Sequence, residues 1–182
     1  MPTHDPGASP PLAALARAAA SLLDQSATVI EPLDTRDLTQ ESRVLSGGTI
    51  GSHLRHLLDH FNAILHARAN GGEVDYDHRE RGLAMERDPI VALREIRRVR
   101  DAIADCAAGV GDQSLRIRVM LDANGHEAAL ASTLCREIAF ATHHGVHHLA
   151  MIRAIAIEHG RTIDIHIGRA PSTLRHERAT PR

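Results

Sequence analysis

Four histidines lie within six residues in the segment THHGVHHL (142–149), a density that could hold a metal ion. His144 and His148 are four residues apart, which places their imidazoles one turn apart on the same face of a helix. Neutral imidazole nitrogens are good ligands for zinc, and two histidines separated by one turn can reach a single ion. The alternative is a pair of core histidines whose ring nitrogens form hydrogen bonds within the protein.

Helical periodicity indicates which of these histidines face inward. At about 100° per residue, four apolar residues before and after this segment fall within about 40° of His148, and His144 lies in the same stripe. The four residues are Leu134, Ala141, Ile152 and Ile155. His143 and His147 lie at the edge of this stripe or outside it. We therefore predict that His144 and His148 are the buried pair.

A third ligand would have to come from another helix, and the segment SHLRHLLDHF offers His53, His56 and His60. Periodicity does not choose among them, although His53 and His60 lie nearer the apolar stripe of this helix than His56 does. Three imidazoles leave a fourth position on a tetrahedral ion for water or substrate, which is typical of a catalytic zinc site. The alternative for each of the three is a solvated surface histidine.

Two acidic residues could assist such a site. Glu137 lies two turns before His144 on nearly the same face, and it could orient a ligand or act as a general base. Alternatively, its charge stabilises the N-terminal end of its helix. Asp59 could accept a hydrogen bond from a ligand imidazole.

The charged segment 73–88, EVDYDHRERGLAMERD, separates the second predicted helix from the third. Tyr76, Arg79 and Arg81 within it could line the mouth of the site and bind substrate. The alternative interpretation is a solvated loop.

The elements that must position these residues are helices. Apolar residues at helical spacing predict helices over 12–31, 49–69 and 89–108, and a fourth that Ser132 caps and that ends near residue 159. Between the third and fourth, 115–121 alternates apolar with polar residues, and Asn124-Gly125 predicts a two-residue type I′ turn. We therefore predict an all-α, up-down four-helix bundle with a small β-hairpin before the last helix.

The domain organisation follows from these elements. We predict a flexible N-terminus at 1–10, the bundle over 11–160 and an irregular tail over 161–182 with a short strand at 162–167.

Composition indicates which classes of partner and which cellular compartment to expect. A net charge of -2 without an isolated basic block argues against nucleic acid and against an anionic membrane surface. The two cysteines, Cys106 and Cys135, are far apart and form no CxxC motif, which favours a reducing compartment. With no apolar run of transmembrane length and no signal peptide, we expect a cytoplasmic protein.

HLLD at 56–59 and HGVHH at 144–148 together resemble the DinB/YfiT-like metalloenzyme superfamily. The resemblance covers residues 12–160. It implies that one divalent ion is bound by His56, His144 and His148, and so selects His56 over His60. Zinc is the expected ion, with nickel or iron as alternatives.

The resemblance implies an enzyme that uses a thiol. Members of the superfamily with known roles include bacillithiol S-transferases and mycothiol-dependent maleylpyruvate isomerase. We expect a homodimeric, metal-dependent enzyme that transfers a low-molecular-weight thiol to a small electrophile. Its predicted catalytic residues are Glu137 and Asp59, and its predicted substrate-binding residues are Tyr76, Arg79 and Arg81. The alternatives are a metal-dependent hydrolase and a non-enzymatic metal-binding module for stress response or interaction.

Overall fold

The computed structural model describes residues 11–78, 80–106 and 111–179, which fold into six α-helices and a three-stranded sheet. The helices are α1 (Pro11–Ile30), α2 (Thr35–Thr39), α3 (Ile50–Asn70), α4 (Pro89–Cys106), α5 (Leu134–Glu158) and α6 (Pro171–Ala179). The strands are β1 (Glu73–Asp75), β2 (Ser114–Met120) and β3 (Glu127–Thr133), and a single turn of 3-10 helix spans Ala84–Glu86. The predicted flexible N-terminus at 1–10 lies outside the described residues.

The prediction of an all-α, up-down four-helix bundle is wrong, because a mixed sheet and two further helices accompany the four long helices. β1 pairs in parallel with β2, and β2 pairs antiparallel with β3, so the strand order is β1-β2-β3. β1 lies in the segment predicted as a charged loop, and its central Val74 is completely buried. One apolar residue among charged neighbours is too weak a pattern to predict a strand whose partner is about 40 residues away.

The two further helices also lie in segments that carry little periodicity. α2 falls in the polar connection after α1, where a capping box between Asp34 and Asp37 stabilises its first turn. α6 begins at Pro171 in the tail predicted to be irregular, and no strand forms at 162–167.

The helices that carry the histidines begin and end at recognisable signals. Thr49 and Ser52 form a capping box at the start of α3, and Gly71 ends this helix with a left-handed φ of 61°. Thr133 caps α5 by accepting a hydrogen bond from the N–H of Arg136. The predicted cap, Ser132, lies one residue earlier in the chain.

A core of aliphatic side chains holds the helices together. α1 packs against α4 and α5, and α3 packs against α5. Gly145 allows α5 to approach α1, because a Cβ at this position would lie 2.4 Å from Cδ2 of Leu22. The contact between α3 and α5 is the one that brings the two histidine segments together.

The loop of the hairpin differs from the predicted two-residue type I′ turn. Leu121 N–H donates to His126 O at 2.7 Å, so the loop has four residues, Asp122 to Gly125. Gly125 has a φ of 83°, whereas Asn124 does not adopt the positive φ that a type I′ turn requires. The carboxylate of Asp122 accepts the N–H of Asn124 at 2.9 Å and thereby closes the loop locally.

Candidate functional site

Five histidines from α3 and α5 form one group, which we call the histidine cluster: His53, His56, His60, His144 and His148. Nε2 of His144 lies 3.1 Å from Nε2 of His56 and 3.1 Å from Nε2 of His148. Nδ1 of His148 lies 3.0 Å from Nδ1 of His53. The structure therefore brings together the three histidines that the sequence analysis assigned to a metal.

The position of each histidine on α5 follows the helical period. His148 is buried and His144 is half-buried, whereas His143 and His147 are exposed. The side chains of the two inward histidines follow the same stripe as the aliphatic residues that pack against α3.

His60 was the alternative to His56 on α3, and its ring belongs to the cluster without replacing His56. Nδ1 of His60 lies 3.0 Å from the backbone oxygen of His56, and the ring stacks on Tyr76 with 4.8 Å between centroids. One nitrogen from each of His56, His60 and His144 also lies within 4.8 Å of the other two. His148 adjoins this set through His144, since the Nε2 atoms of the two residues are 3.1 Å apart.

The electrostatic environment keeps the buried imidazole of His148 neutral. Burial lowers the pKa of His148 to about 3, and the neighbouring His144 and His53 contribute further. Burial also lowers the pKa of His53, with a contribution from His147. At neutral pH His148 is therefore uncharged and has one ring-nitrogen lone pair that can accept a hydrogen bond or bind a cation.

Glu137, a predicted catalytic residue, is completely buried beside the cluster. Its carboxylate accepts hydrogen bonds from Tyr76 Oη at 2.6 Å, from Ser132 Oγ and from Arg136. Burial raises the pKa of Tyr76, and the bond to Glu137 raises it further, so the phenol stays protonated. The two residues thus join the segment after β1 to the start of α5.

Asp59, the other predicted catalytic residue, accepts a hydrogen bond from Arg55 at 2.5 Å. Nε of Arg55 lies 3.2 Å from a carboxylate oxygen of Glu86, so this arginine connects α3 to the 3-10 turn. Of the predicted substrate-binding residues, Tyr76 contacts the cluster and Arg81 is exposed. Arg79 lies outside the described residues.

A cavity of about 780 Å³ is lined by Tyr76, which contacts the histidine cluster. Its walls come from α3, β1, β2 and the segment after β1, and they include Asp59, His66, Glu73, Asp75, Tyr76 and Arg118. Tyr76 lines this cavity and also stacks on His60, so this side chain is common to the cavity and the histidine cluster.

Phe140 is a member of the site that the sequence analysis did not identify. Its ring is nearly parallel to that of His144, with an interplanar angle of 17° and 5.7 Å between centroids. It also lies 5.5 Å from the ring of Tyr76, although 41% of the residue remains exposed. Its position four residues before His144 was the available signal, since this spacing places both rings on one face of α5.

Comparisons with known proteins identify a relative but no family. The chain is 30% identical over 161 residues to FK506-binding protein 5 of Rhizopus delemar. The match covers 87% of this chain, which spans 37% of that relative's length. No family model matches the chain, and no solved structure matches it.

These findings overturn the assignment to the DinB/YfiT-like superfamily, because the relative that matches most of the chain is named for FK506 binding. The prediction of a thiol-transferring metalloenzyme, which depended on that assignment, is also wrong. The two alternatives, a metal-dependent hydrolase and a metal-binding module for stress response or interaction, are wrong as well. The motifs that carried the resemblance are short. Histidines at i and i+4 arise on any amphipathic helix, so this spacing predicts a shared face and does not identify a family.

Proposed function

We propose that this chain binds a small-molecule ligand at the histidine cluster and the adjoining cavity. The observation that carries the proposal is the position of Nε2 of His144, which lies 3.1 Å from Nε2 of His56 and 3.1 Å from Nε2 of His148. The cavity of about 780 Å³ has the volume of a small-molecule site.

The chain's own residues would act by orientation and hydrogen bonding. Phe140 and Tyr76 place aromatic rings beside His144 and His60, and these flat surfaces suit the apolar part of a ligand. The neutral His148 can accept a hydrogen bond, and Asp59 places a carboxylate at the cavity wall. Glu137 is the positioning residue that holds Tyr76, which contacts the cluster and lines the cavity.

The cofactor that we propose for this site is one divalent ion, bound by His56, His144 and His148. Zinc–nitrogen bonds of about 2.0–2.1 Å in a tetrahedron separate two ligand nitrogens by roughly 3.4 Å. The two pairs that include His144 are 3.1 Å apart, close to this value. The donor set of neutral imidazoles fits zinc, and also nickel or iron. When bound, such an ion would accept a lone pair from an oxygen or nitrogen of the ligand.

Isothermal titration of the metal-free protein with zinc tests the cofactor. We expect one ion per chain for the wild-type protein, and loss of binding in the variants His144→Ala and His148→Ala. His143→Ala and His147→Ala are the matched controls, since they remove exposed histidines from the same helix and should leave the stoichiometry unchanged. An ion retained by the double variant His144→Ala/His148→Ala would overturn the ligand assignment.

FK506 is the second candidate ligand, and the name of the relative from Rhizopus delemar favours it. The name describes a protein of which this chain spans 37%, so FK506 binding by this chain is a proposal. Titration of both the metal-free and the zinc-loaded protein with FK506 tests it. Saturable one-site binding would support this candidate, and its absence at about 100 µM, a concentration that would detect micromolar affinity, would exclude it.

The remaining expectations about partners and location are part of the same proposal. We propose a small-molecule partner, a cytoplasmic location, and no nucleic-acid or membrane partner. Among the described residues, the helices are all too short or too polar to cross a bilayer.

A further inference from the structure

β3 forms an open edge of the sheet and is composed almost entirely of small and apolar residues. Its sequence is EAALAST, and β2 is its neighbour on one side in the order β1-β2-β3. Leu130 is 51% exposed, and Ala129 and Ala131 are exposed on either side of it. Natural edge strands usually carry charges, proline or a covering segment, and 128–133 has neither a charge nor a proline.

The hydrogen-bond pattern of the hairpin shows which backbone groups face this edge. Leu121 N–H donates to His126 O, and Leu134 N–H donates to Gln113 O, which fixes the alternation along the ladder. Residues 128, 130 and 132 therefore direct their N–H and C=O groups to β2. Ala129 and Ala131 direct theirs outward, and within the described part of the chain no backbone hydrogen bond joins them to another segment.

We propose that β3 pairs antiparallel with β3 of a second copy of this chain, which makes one six-stranded sheet across a two-fold axis. Backbone groups that point outward along a strand are satisfied by another extended strand, and a two-fold axis lets one strand serve as its own partner. We thus infer that the strand at this edge is β3 of a second copy, in the antiparallel direction.

The side chains support a two-fold axis that passes beside Leu130. In this register Ala129 pairs with Ala131 of the second copy, and Leu130 lies directly opposite Leu130 of the second copy. Because Ile117 lies opposite Leu130 within each copy, the inner face would carry a continuous row of four aliphatic residues.

Charge is also compatible with this pairing. Glu127, which bears the strand's only charge, would face Thr133 of the second copy, so no like charges are opposed. The two exposed arginines of β2, Arg116 and Arg118, lie opposite Ala131 and Ala129 within the hairpin. The alanines of the two β3 strands would therefore lie between the arginines of one copy and those of the other.

Sedimentation velocity from about 1 to 300 µM tests the proposal, since a small interface predicts a dissociation constant in the micromolar range. We expect the wild-type protein to dimerise and Leu130→Lys to weaken the dimer about tenfold or more, because it places two ammonium groups opposite each other. Ala131→Pro removes an outward N–H that β2 does not use, and should also abolish dimerisation. Leu121→Lys is the matched control, because Leu121 is 62% exposed and precedes the loop, outside the paired strand.

A cross-link keeps the test independent of those variants' folding. Leu130→Cys should form an intermolecular disulfide on mild oxidation, and Leu121→Cys should not, because only the former places two sulfurs across the axis. A wild-type protein that is monomeric at 300 µM would overturn the proposal. So would a dimer that persists in Leu130→Lys and Ala131→Pro, or equal cross-linking of the two cysteine variants.

Discussion

At the scale of single residues, the buried pair of Tyr76 and Glu137 determines how the site is held. Glu137 is completely buried and accepts hydrogen bonds from three side chains, of which Tyr76 comes from a distant segment of the chain. A buried carboxylate is tolerated only when donors replace its hydration. The ring of Tyr76 can then rest against His60 in a fixed orientation.

We expect Tyr76→Phe to lower the free energy of unfolding by about 1–3 kcal/mol, because it leaves one lone pair of a buried carboxylate without its donor. The phenyl ring preserves the stacking on His60, so the change isolates the hydroxyl. Urea denaturation of Tyr76→Phe, Glu137→Gln and the double variant measures the coupling between them. Strictly additive effects would show that the hydrogen bond does not form in solution.

At the scale of elements, the first turn of α3 is positioned by a close backbone contact. A Cβ added at Gly51 would lie 2.0 Å from the backbone oxygen of Glu86, in the 3-10 turn. The side chain of Glu86 in turn lies 3.2 Å from Nε of Arg55, one turn further along α3. This contact therefore helps to set the position from which α3 presents His53 and His56 to α5.

Gly51→Ala should destabilise the protein by about 2 kcal/mol or more, because a methyl group against a backbone oxygen cannot be accommodated by rotation of a side chain. Gly72→Ala is the control, since a Cβ there has no atom within 4 Å. We expect its effect to stay within about 0.5 kcal/mol. Thermal unfolding of the two variants measures the difference, and equal melting temperatures would contradict the packing described for Gly51.

At the scale of the whole molecule, two long-range contacts join the region after α1 to the end of α5. Arg161 donates to Asp37 at 2.8 Å, and Ser42 donates to Glu158 at 2.6 Å. Desolvation acts to raise the pKa of Asp37, and the bonds from Arg161 and from the N–H of Asp34 outweigh it. The pKa of this carboxyl therefore lies below its usual 3.8.

The lowered pKa of Asp37 predicts how its contribution to the free energy of unfolding depends on pH. As the pH falls, Asp37 is protonated in the unfolded chain before it is protonated in the folded protein. The contribution of the ionised carboxylate to the free energy of unfolding is therefore complete above about pH 4, and it is lost as the pH falls through the lower pKa of the folded state. Asp37→Asn should therefore be less stable than the wild-type protein at pH 7, and the difference should shrink towards pH 3. Denaturant unfolding across this range measures it, with Asp105→Asn, on the exposed face of α4, as control. A difference that is constant with pH would refute the role of the charged form.

The sequence alone determined the features that depend on local period and local backbone chemistry. The 3.6-residue period separated the inward His144 and His148 from the exposed His143 and His147. The alternation of 115–121 and the turn signal Asn124-Gly125 located the hairpin before α5. Gly71 ends α3 because glycine readily adopts a left-handed φ, and Pro89 begins α4 because its fixed φ suits the first turn of a helix. These properties are set by neighbours in the chain.

Only the tertiary structure decided which side chains meet. His56 and His60 lie on the same side of α3. The orientation of α3 relative to α5 places Nε2 of His56 3.1 Å from Nε2 of His144. The pairing of β1 with β2 and the bond from Tyr76 to Glu137 likewise join residues that are far apart in the chain. A short motif cannot encode such contacts, because their energy comes from the packing of whole elements, and for that reason the histidine spacing predicted the faces correctly and the family wrongly.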